Sequence, residues 1–382
     1  MRLLIDSTQV PLARTGVGIY AEHLLKELID LLPPEDVLFV LLQDDDVTLI
    51  EILSGRPNVY PLFIPSQFFR YRLALAIYEQ CIVPWVLRYY RIDLIHSLHY
   101  TFPLACPCSR VVTMHDMTFF LWPQMHTLGR QIVMPFFIKM ALRHAEGVLF
   151  VSQSTRNDAE NLFGTGNNLR CVTPLGVDET YFAVVSQQHV KDTLSRLKVK
   201  THYILFLGTL EPRKNVLRLI QAFELIGEKY PQHILVIAGG LGWNYQPALD
   251  AIEQSPLKHR IIHLGYIAAE DKIPLIAGCD LMVYPSLYEG FGLPVLEGMA
   301  LGIPIITGNT SSLPEVAGDG ALTIDTTSVE QIATAMNKML SDHDYRNKLI
   351  QAAKQQARLF PWKRTAELTY ASYLKVNKSI RN

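Results

Sequence analysis

Short apolar runs of strand length return along this chain, each separated from the next by a stretch with helical periodicity. In the first half such runs fall at 3–5, 37–42, 94–96, 111–114 and 148–151, and each reads as a buried strand. Helical patterns occupy 18–32, 70–90, 129–145 and 153–162 between them. Alternation of this kind predicts a parallel sheet with helices on both faces. A last strand lies within 168–182, and a turn-rich crossing segment begins at Pro174. From Tyr203 the pattern starts again, with runs at 203–207, 234–238, 261–264, 281–284 and 303–307. The chain therefore reads as α/β, two Rossmann-like halves joined near 174–200. In each half, ligands are expected at the carboxyl ends of the strands.

Length agrees, because 382 residues are too many for one typical core and suit two domains of about 180 residues. A formal net charge of −1 offers no field for nucleic acid, and none is expected as a partner. The five cysteines, Cys81, Cys106, Cys108, Cys171 and Cys279, lack framework spacing and suit a reducing compartment. Cys106-Pro-Cys108 has no second pair at zinc spacing and reads as two small packed residues. The chain enters a strand directly after Met1, so a secretory signal is not expected, and the longest uncharged run, 298–314, is broken by Gly and Pro. A cytoplasmic protein is the expectation.

The chemistry concentrates at 284–298, YPSLYEGFGLPVLEG. Gly290 and Gly292 allow a tight turn after a strand, and Pro294 suits the first turn of a helix. Strand, glycine turn and helix N-terminus aim backbone N–H groups and the positive end of a dipole at one point, which suits phosphate. Glu289 and Glu297 bracket that point. They read either as solvated charges or as acceptors for the diols of a sugar. A nucleotide-sugar supplies a pyrophosphate between two diol-bearing rings. Arg213 and Lys214, in LGTLEPRKN at 207–215, follow the first strand of the second half. They read as a solvated basic turn or as cations for a departing diphosphate. Gly16 and Gly18 form a short glycine turn between the first strand and its helix. His115, with Asp116 beside it, ends an inner strand, where a Rossmann sheet places ligand contacts.

The run EGFGLPVLEGMALGIPIITGNTSSLPEVAGDGA at 289–321 resembles the signature of the retaining glycosyltransferases of family 4, with Glu289 and Glu297 matching the family's Glu-x7-Glu pair. Gly298 departs from the Ala more usual there. The resemblance covers nearly the whole chain and implies the GT-B fold, two Rossmann-like domains facing an interdomain cleft. It implies an N-terminal acceptor domain at 1–180, with a final helix at 362–382 packing back on it. The nucleotide-sugar domain is then 181–361. By the same resemblance Arg213 and Lys214 bind the donor diphosphate, and Glu297 holds the ribose. Glu289 and the amides of Phe291, Gly292 and Leu293 hold sugar and phosphate. Gly16 and Gly18 face the donor phosphate and acceptor, and His115 lies near the transferring sugar while Asp116 shapes its loop.

No metal or other cofactor is implied, since the two cations do the electrostatic work. The donor expected is GDP-mannose or a related GDP-deoxyhexose, because LGTLEPRKN and SLYEGFGLPVLEGMA are most similar to bacterial polysaccharide mannosyltransferases. UDP-sugars are the alternative. The acceptor is a glycan or lipid-linked saccharide. A non-catalytic nucleotide-sugar-binding subunit is the reading from another class, marked by loss of a cation or a Glu, and all four residues are present. Ser152 reads as an N-cap, with Arg156 a candidate for an acceptor phosphate. Asp44-Asp45-Asp46 reads as a solvated acidic turn. The aromatic and basic stretch 67–78, with 119–122 and 134–139, reads as core packing or as a face that touches the inner leaflet.

Overall fold

The computed structural model describes residues 1–12, 14–69 and 72–381. The chain divides into two compact units: unit 1 comprises Met1–Gly176 with the C-terminal segment from Trp362, and unit 2 is Val177–Pro361.

Unit 1 is built on a seven-stranded parallel sheet in the order β3-β2-β1-β4-β5-β6-β7. Its strands are β1 (Arg2–Asp6), β2 (Val37–Gln43), β3 (Val59–Ile64), β4 (Leu94–Ser97), β5 (Ser109–Met114), β6 (Gly147–Phe150) and β7 (Leu169–Val172). The inner strands are almost wholly buried, which is why they are apolar without alternation. β3 was not expected from the sequence. It contains Pro61, which cannot donate to a ladder, and it lies at the sheet edge where that loss is tolerated. The helical pattern at 70–90 is broken in the structure into Ser66–Phe69, Arg72–Ile77, a π-helical turn Tyr78–Ile82 and Val83–Tyr89. Arg70 and Tyr71, inside the aromatic and basic stretch, lie outside the described residues.

The Trp362–Arg381 helix completes unit 1 by packing against the Gly16–Leu31 helix, β6 and β7. His23 stacks on Trp362 with ring centroids 4.9 Å apart. Tyr373 shares its hydroxyl with buried His96 at 2.5 Å, and Thr365 Oγ1 donates to the Pro174 carbonyl at 2.6 Å. The contact is closest at Gly176, where an added Cβ would stand 2.4 Å from the Trp362 backbone nitrogen. Gly176→Ala is therefore expected to cost about 1–3 kcal/mol, read as a lower urea midpoint. An unchanged midpoint would show that the helix can shift without penalty.

Unit 2 carries a six-stranded parallel sheet in the order β10-β9-β8-β11-β12-β13. Its strands are β8 (Tyr203–Leu207), β9 (Ile234–Ala238), β10 (Ile261–Gly265), β11 (Leu281–Tyr284), β12 (Ile305–Gly308) and β13 (Leu322–Ile324). Only β13 was unexpected, a three-residue edge strand too short to show a period. The chain reverses its direction of travel along this sheet between β8 and β11. Ligands bind at such a switch point, at the carboxyl ends of the strands.

Candidate active site

Unit 2 places LGTLEPRKN after β8 and YEGFG after β11, so the two motifs meet at the switch point. Arg213 and Lys214 lie in a 3-10 turn, Pro212–Lys214, and Asn215 closes it in the left-handed conformation at φ 60°. Asn is among the few residues that tolerate this region. Its buried amide donates to the carbonyls of Pro285 and Thr326 at 3.1 and 2.7 Å, tying the basic turn to the loop after β11. Asn215→Ala removes both bonds and the backbone preference, for an expected loss of about 2–4 kcal/mol. Asn215→Gly is expected to recover the backbone share. Equal urea midpoints for the two variants would show that the backbone conformation contributes nothing.

The cations converge on Glu289. Arg213 Nη1 donates to Glu289 Oε2 at 2.7 Å, and Lys214 Nζ donates to Oε1 at 2.6 Å. Lys214 Nζ also donates to the Tyr284 hydroxyl at 2.6 Å, which in turn donates to Glu289 Oε1 at 3.0 Å. Glu211 takes the remaining edge of Arg213 through Nε at 2.7 Å. Burial alone would raise the Glu289 pKa, but Arg213 and then Lys214 bring it down to about 2. Burial and the adjacent Arg213 lower the pKa of Lys214 against the pull of Glu289. With Glu211 counted, the cluster sets two cations against two carboxylates and is charge-balanced.

The Leu293–Leu301 helix begins beside this cluster in sequence. Gly292 is its N-cap at φ 108°, a conformation that excludes most side chains, and Pro294 occupies the first turn. Phe291 is buried with its ring edge-to-face on Phe360 at 5.8 Å. Ser312 Oγ holds the turn by donating to the carbonyls of Glu289 and Phe291 at 2.9 and 2.8 Å. The first N–H groups of any helix have no intrahelical partner, and here they belong to the segment containing Phe291, Gly292 and Leu293. Gly298 is packed rather than merely permissive, since a Cβ there would meet Ile305 Cδ1 at 2.8 Å and Met282 Sδ at 3.0 Å.

Glu297 is buried on the same helix but joins a different partner. Lys272 Nζ donates to Glu297 Oε1 at 2.5 Å, while Glu297 Oε2 is buried with no hydrogen-bond partner. Burial and the facing Glu297 carboxylate push the Tyr181 hydroxyl pKa up. So Arg213, Lys214 and Glu289 form one bonded cluster, and Glu297 forms another with Lys272. Sequence reasoning missed Lys272, Tyr181 and Tyr284 as site residues. Only Tyr284 carried a signal, its place at the end of β11.

In unit 1, His115 Nε2 donates to the Leu98 carbonyl at 2.7 Å, which fixes that nitrogen as protonated. Its ring stands edge-on to Tyr20 and Tyr100. Burial lowers its pKa despite the Leu98 carbonyl, so the neutral ring presents Nδ1 as an acceptor. Asp116 Oδ1 accepts from Thr118 N and Oγ1 at 3.0 and 2.6 Å, a loop-shaping role. Gly16 and Gly18 differ from the expected turn. Both lie in the first turn of the Gly16–Leu31 helix, and neither takes a positive φ. Gly16 is exposed, whereas Gly18 leaves room for Arg14, whose Cδ would be 3.1 Å from an added Cβ. Asp46 also departs from a solvated turn: it is buried, caps the Val47–Leu53 helix and pairs with Arg14. Ser152 caps its helix, and Arg156 pairs with Glu160 at 2.9 Å.

Two family models match the chain, "Glycosyltransferase Family 4" over residues 14–181 and "Glycosyl transferases group 1" over 191–356. O-antigen chain mannosyltransferase B of Escherichia coli is 32% identical over 76% of this chain and 76% of its own. Serotype-specific mannosyltransferase WbdA of the same organism is 29% identical over 74% of this chain, which spans only 36% of WbdA. Among solved structures, sucrose-phosphate synthase from Thermosynechococcus elongatus aligns over 99% of this chain and 100% of its own, with a TM-score of 0.76 at 18% identity. Anabaena HepE, solved in complex with UDP and glucose, aligns over 98% and 99% with a TM-score of 0.74 at 19% identity. Two parallel Rossmann-like sheets of this kind are the architecture of the GT-B fold. The chain belongs to glycosyltransferase family 4.

Proposed function

We propose that the protein transfers a hexose, mannose or a related deoxyhexose, from a GDP-sugar to a glycan or lipid-linked saccharide in bacterial polysaccharide synthesis. The observation that carries this reading is the Arg213–Lys214–Glu289 cluster at the carboxyl ends of β8 and β11, with Lys214 and Glu289 buried. Its two adjacent cations suit the charge that grows on a departing diphosphate. Glu289 holds both cations in place, and its remaining lone pairs accept a sugar hydroxyl. The unpartnered Glu297 Oε2 suits a ribose hydroxyl, with Lys272 fixing the other oxygen. N–H groups around Phe291, Gly292 and Leu293 add donors for phosphate. His115 accepts a sugar hydroxyl at Nδ1, and exposed Gly16 leaves a side-chain-free approach at a helix N-terminus, with Gly18 packed beneath Arg14. With no separate nucleophile assigned, retention follows from same-face attack, the leaving phosphate taking the acceptor proton.

The mannosyltransferase names of the relatives support the donor sugar. The HepE complexes with UDP and UDP-glucose favour the alternative, a UDP-sugar donor. One assay separates them: incubation with GDP-mannose, UDP-glucose or UDP-N-acetylglucosamine, following slow release of the nucleoside diphosphate. GDP release is the expected result. UDP release alone transfers the reading to the alternative, binding without cleavage leaves a non-catalytic nucleotide-sugar-binding role, and neither binding nor cleavage of any donor overturns the enzyme reading.

Membrane contact is part of the same proposal. No helix among the described residues is long and apolar enough to cross a membrane. The Leu128–His144 helix nevertheless exposes Leu128, Ile132 and Phe136 on one face, and Trp85 and Tyr89 are exposed on Val83–Tyr89. Such faces, with Arg and Lys nearby, suit an interface rich in anionic lipid. Flotation with anionic liposomes should carry the protein upward, and retention wholly in the soluble fraction would sink the membrane part.

A further inference from the structure

Unit 1 has its own switch point, and a second constellation of chemical groups stands there. Asp6 ends β1 and His99 lies just beyond β4, the two strands between which the chain reverses its direction along the sheet. Glu79 reaches the same place from the π-helical turn. All three side chains are more than nine-tenths buried, at 1%, 7% and 3% exposure for Asp6, His99 and Glu79. One ligand-capable atom from each lies within 4.8 Å of the other two.

Their hydrogen bonds are only partly filled. Thr8 donates through N and Oγ1 to Asp6 Oδ1 at 3.0 and 2.7 Å. Thr101 Oγ1 donates to Glu79 Oε2 at 2.5 Å, and the Gln9 and Gln80 amides donate to the same carboxylate at 3.0 and 2.8 Å. The single Thr101 proton is thereby used, so the 3.1 Å contact between Thr101 Oγ1 and His99 Nδ1 has the ring as donor. His99 Nε2 stands 3.6 Å from Asp6 Oδ1, too far for a hydrogen bond but the separation of an ion pair or of two ligands on one ion. It has no hydrogen-bond partner, and neither has Asp6 Oδ2. Two buried carboxylates thus stand around one imidazole, and a protonated ring would balance only one of them.

We propose that Asp6, Glu79 and His99 form a structural site for a divalent cation of the zinc type. Two carboxylates and a neutral imidazole balance the charge of such an ion, and the mixed oxygen and nitrogen set suits zinc better than calcium or magnesium. Thr8, Thr101, Gln9 and Gln80 are the outer partners that orient the ligands. The ion would clamp the ends of β1 and β4 together through the loop that also supplies the Leu98 carbonyl to His115. It takes no part in donor chemistry, which the cations of unit 2 carry, so this proposal stands apart from the functional one.

The test is calorimetric titration of Zn²⁺ into the full-length protein after chelator treatment, repeated with Co²⁺ and read by its visible absorption. His202, His233 and Asp280 in unit 2 form a more exposed group with similar spacing, so His202→Asn is the matching control. Wild type and His202→Asn should bind tightly at the unit 1 site. Asp6→Asn and His99→Gln should each lose more than the roughly 10–100-fold that removal of an outer partner costs. Circular dichroism checks that each variant is folded, and Glu79→Gln replaces any that is not. Binding that survives all the unit 1 variants, or that vanishes with His202→Asn, overturns the proposal. So does a folded wild type that binds no zinc.

Discussion

Lys214→Met should lower turnover by roughly 10²–10³-fold, the loss typical when one preorganised donor to a developing negative charge is removed. Methionine keeps most of the side-chain volume, so the change isolates the charge and its three-donor head. Lys214 is buried and bonded to Glu289 and Tyr284, so some stability is lost as well. That share is limited, because Arg213 still neutralises Glu289 at 2.7 Å. The stability cost is accordingly expected below the 3–5 kcal/mol of a buried charge left wholly uncompensated. The comparison to make is kcat for GDP-mannose cleavage against the urea midpoint. If turnover falls only in proportion to the folded fraction, the lysine is structural and the leaving-group role is wrong.

Glu289→Gln should have the largest effect on stability. The substitution leaves buried Lys214 with no carboxylate and Arg213 with Glu211 alone, at an expected cost of about 3–5 kcal/mol. It should also change the acid response. The Glu289 pKa falls from its ordinary 4.5 to about 2 in the folded state, so the group contributes stability above pH 4.5. That contribution is lost as pH falls through about 2, and its full size is about 3 kcal/mol. Wild-type stability should therefore decline between pH 4.5 and pH 2, and Glu289→Gln should decline less steeply. Parallel curves for the two proteins would show that the carboxylate titrates normally and that the cation cluster is not held as described.

Much of the candidate site was legible because its parts lie close together in sequence. Gly292 at the N-cap, Pro294 in the first turn and a strand ending at Tyr284 are local backbone chemistry, and local chemistry shows in a short string. Arg213 and Lys214 stood out for the same reason, as adjacent cations after a strand. What the string did not show is who pairs with whom. The pairing of Glu289 with both cations was not in the string, and neither was that of Glu297 with Lys272, from a helix that carries no motif. Gly16 and Gly18 looked like a turn because glycine spacing alone cannot distinguish a turn from the start of a helix.

The amino-acid order by itself determined the alternation of strand and helix, the restart at Tyr203 and hence two parallel sheets, because burial on both faces demands uninterrupted apolar runs. It also determined where along the chain an anion could be met. The tertiary structure alone decided the order of strands in each sheet, the edge positions that tolerate Pro61 in β3, and the meeting of Asp6, Glu79 and His99 from three distant segments. The physical reason is range. Periodicity and turn chemistry act over a few residues, whereas a buried charge finds its partner across whichever strands the packed sheet makes neighbours.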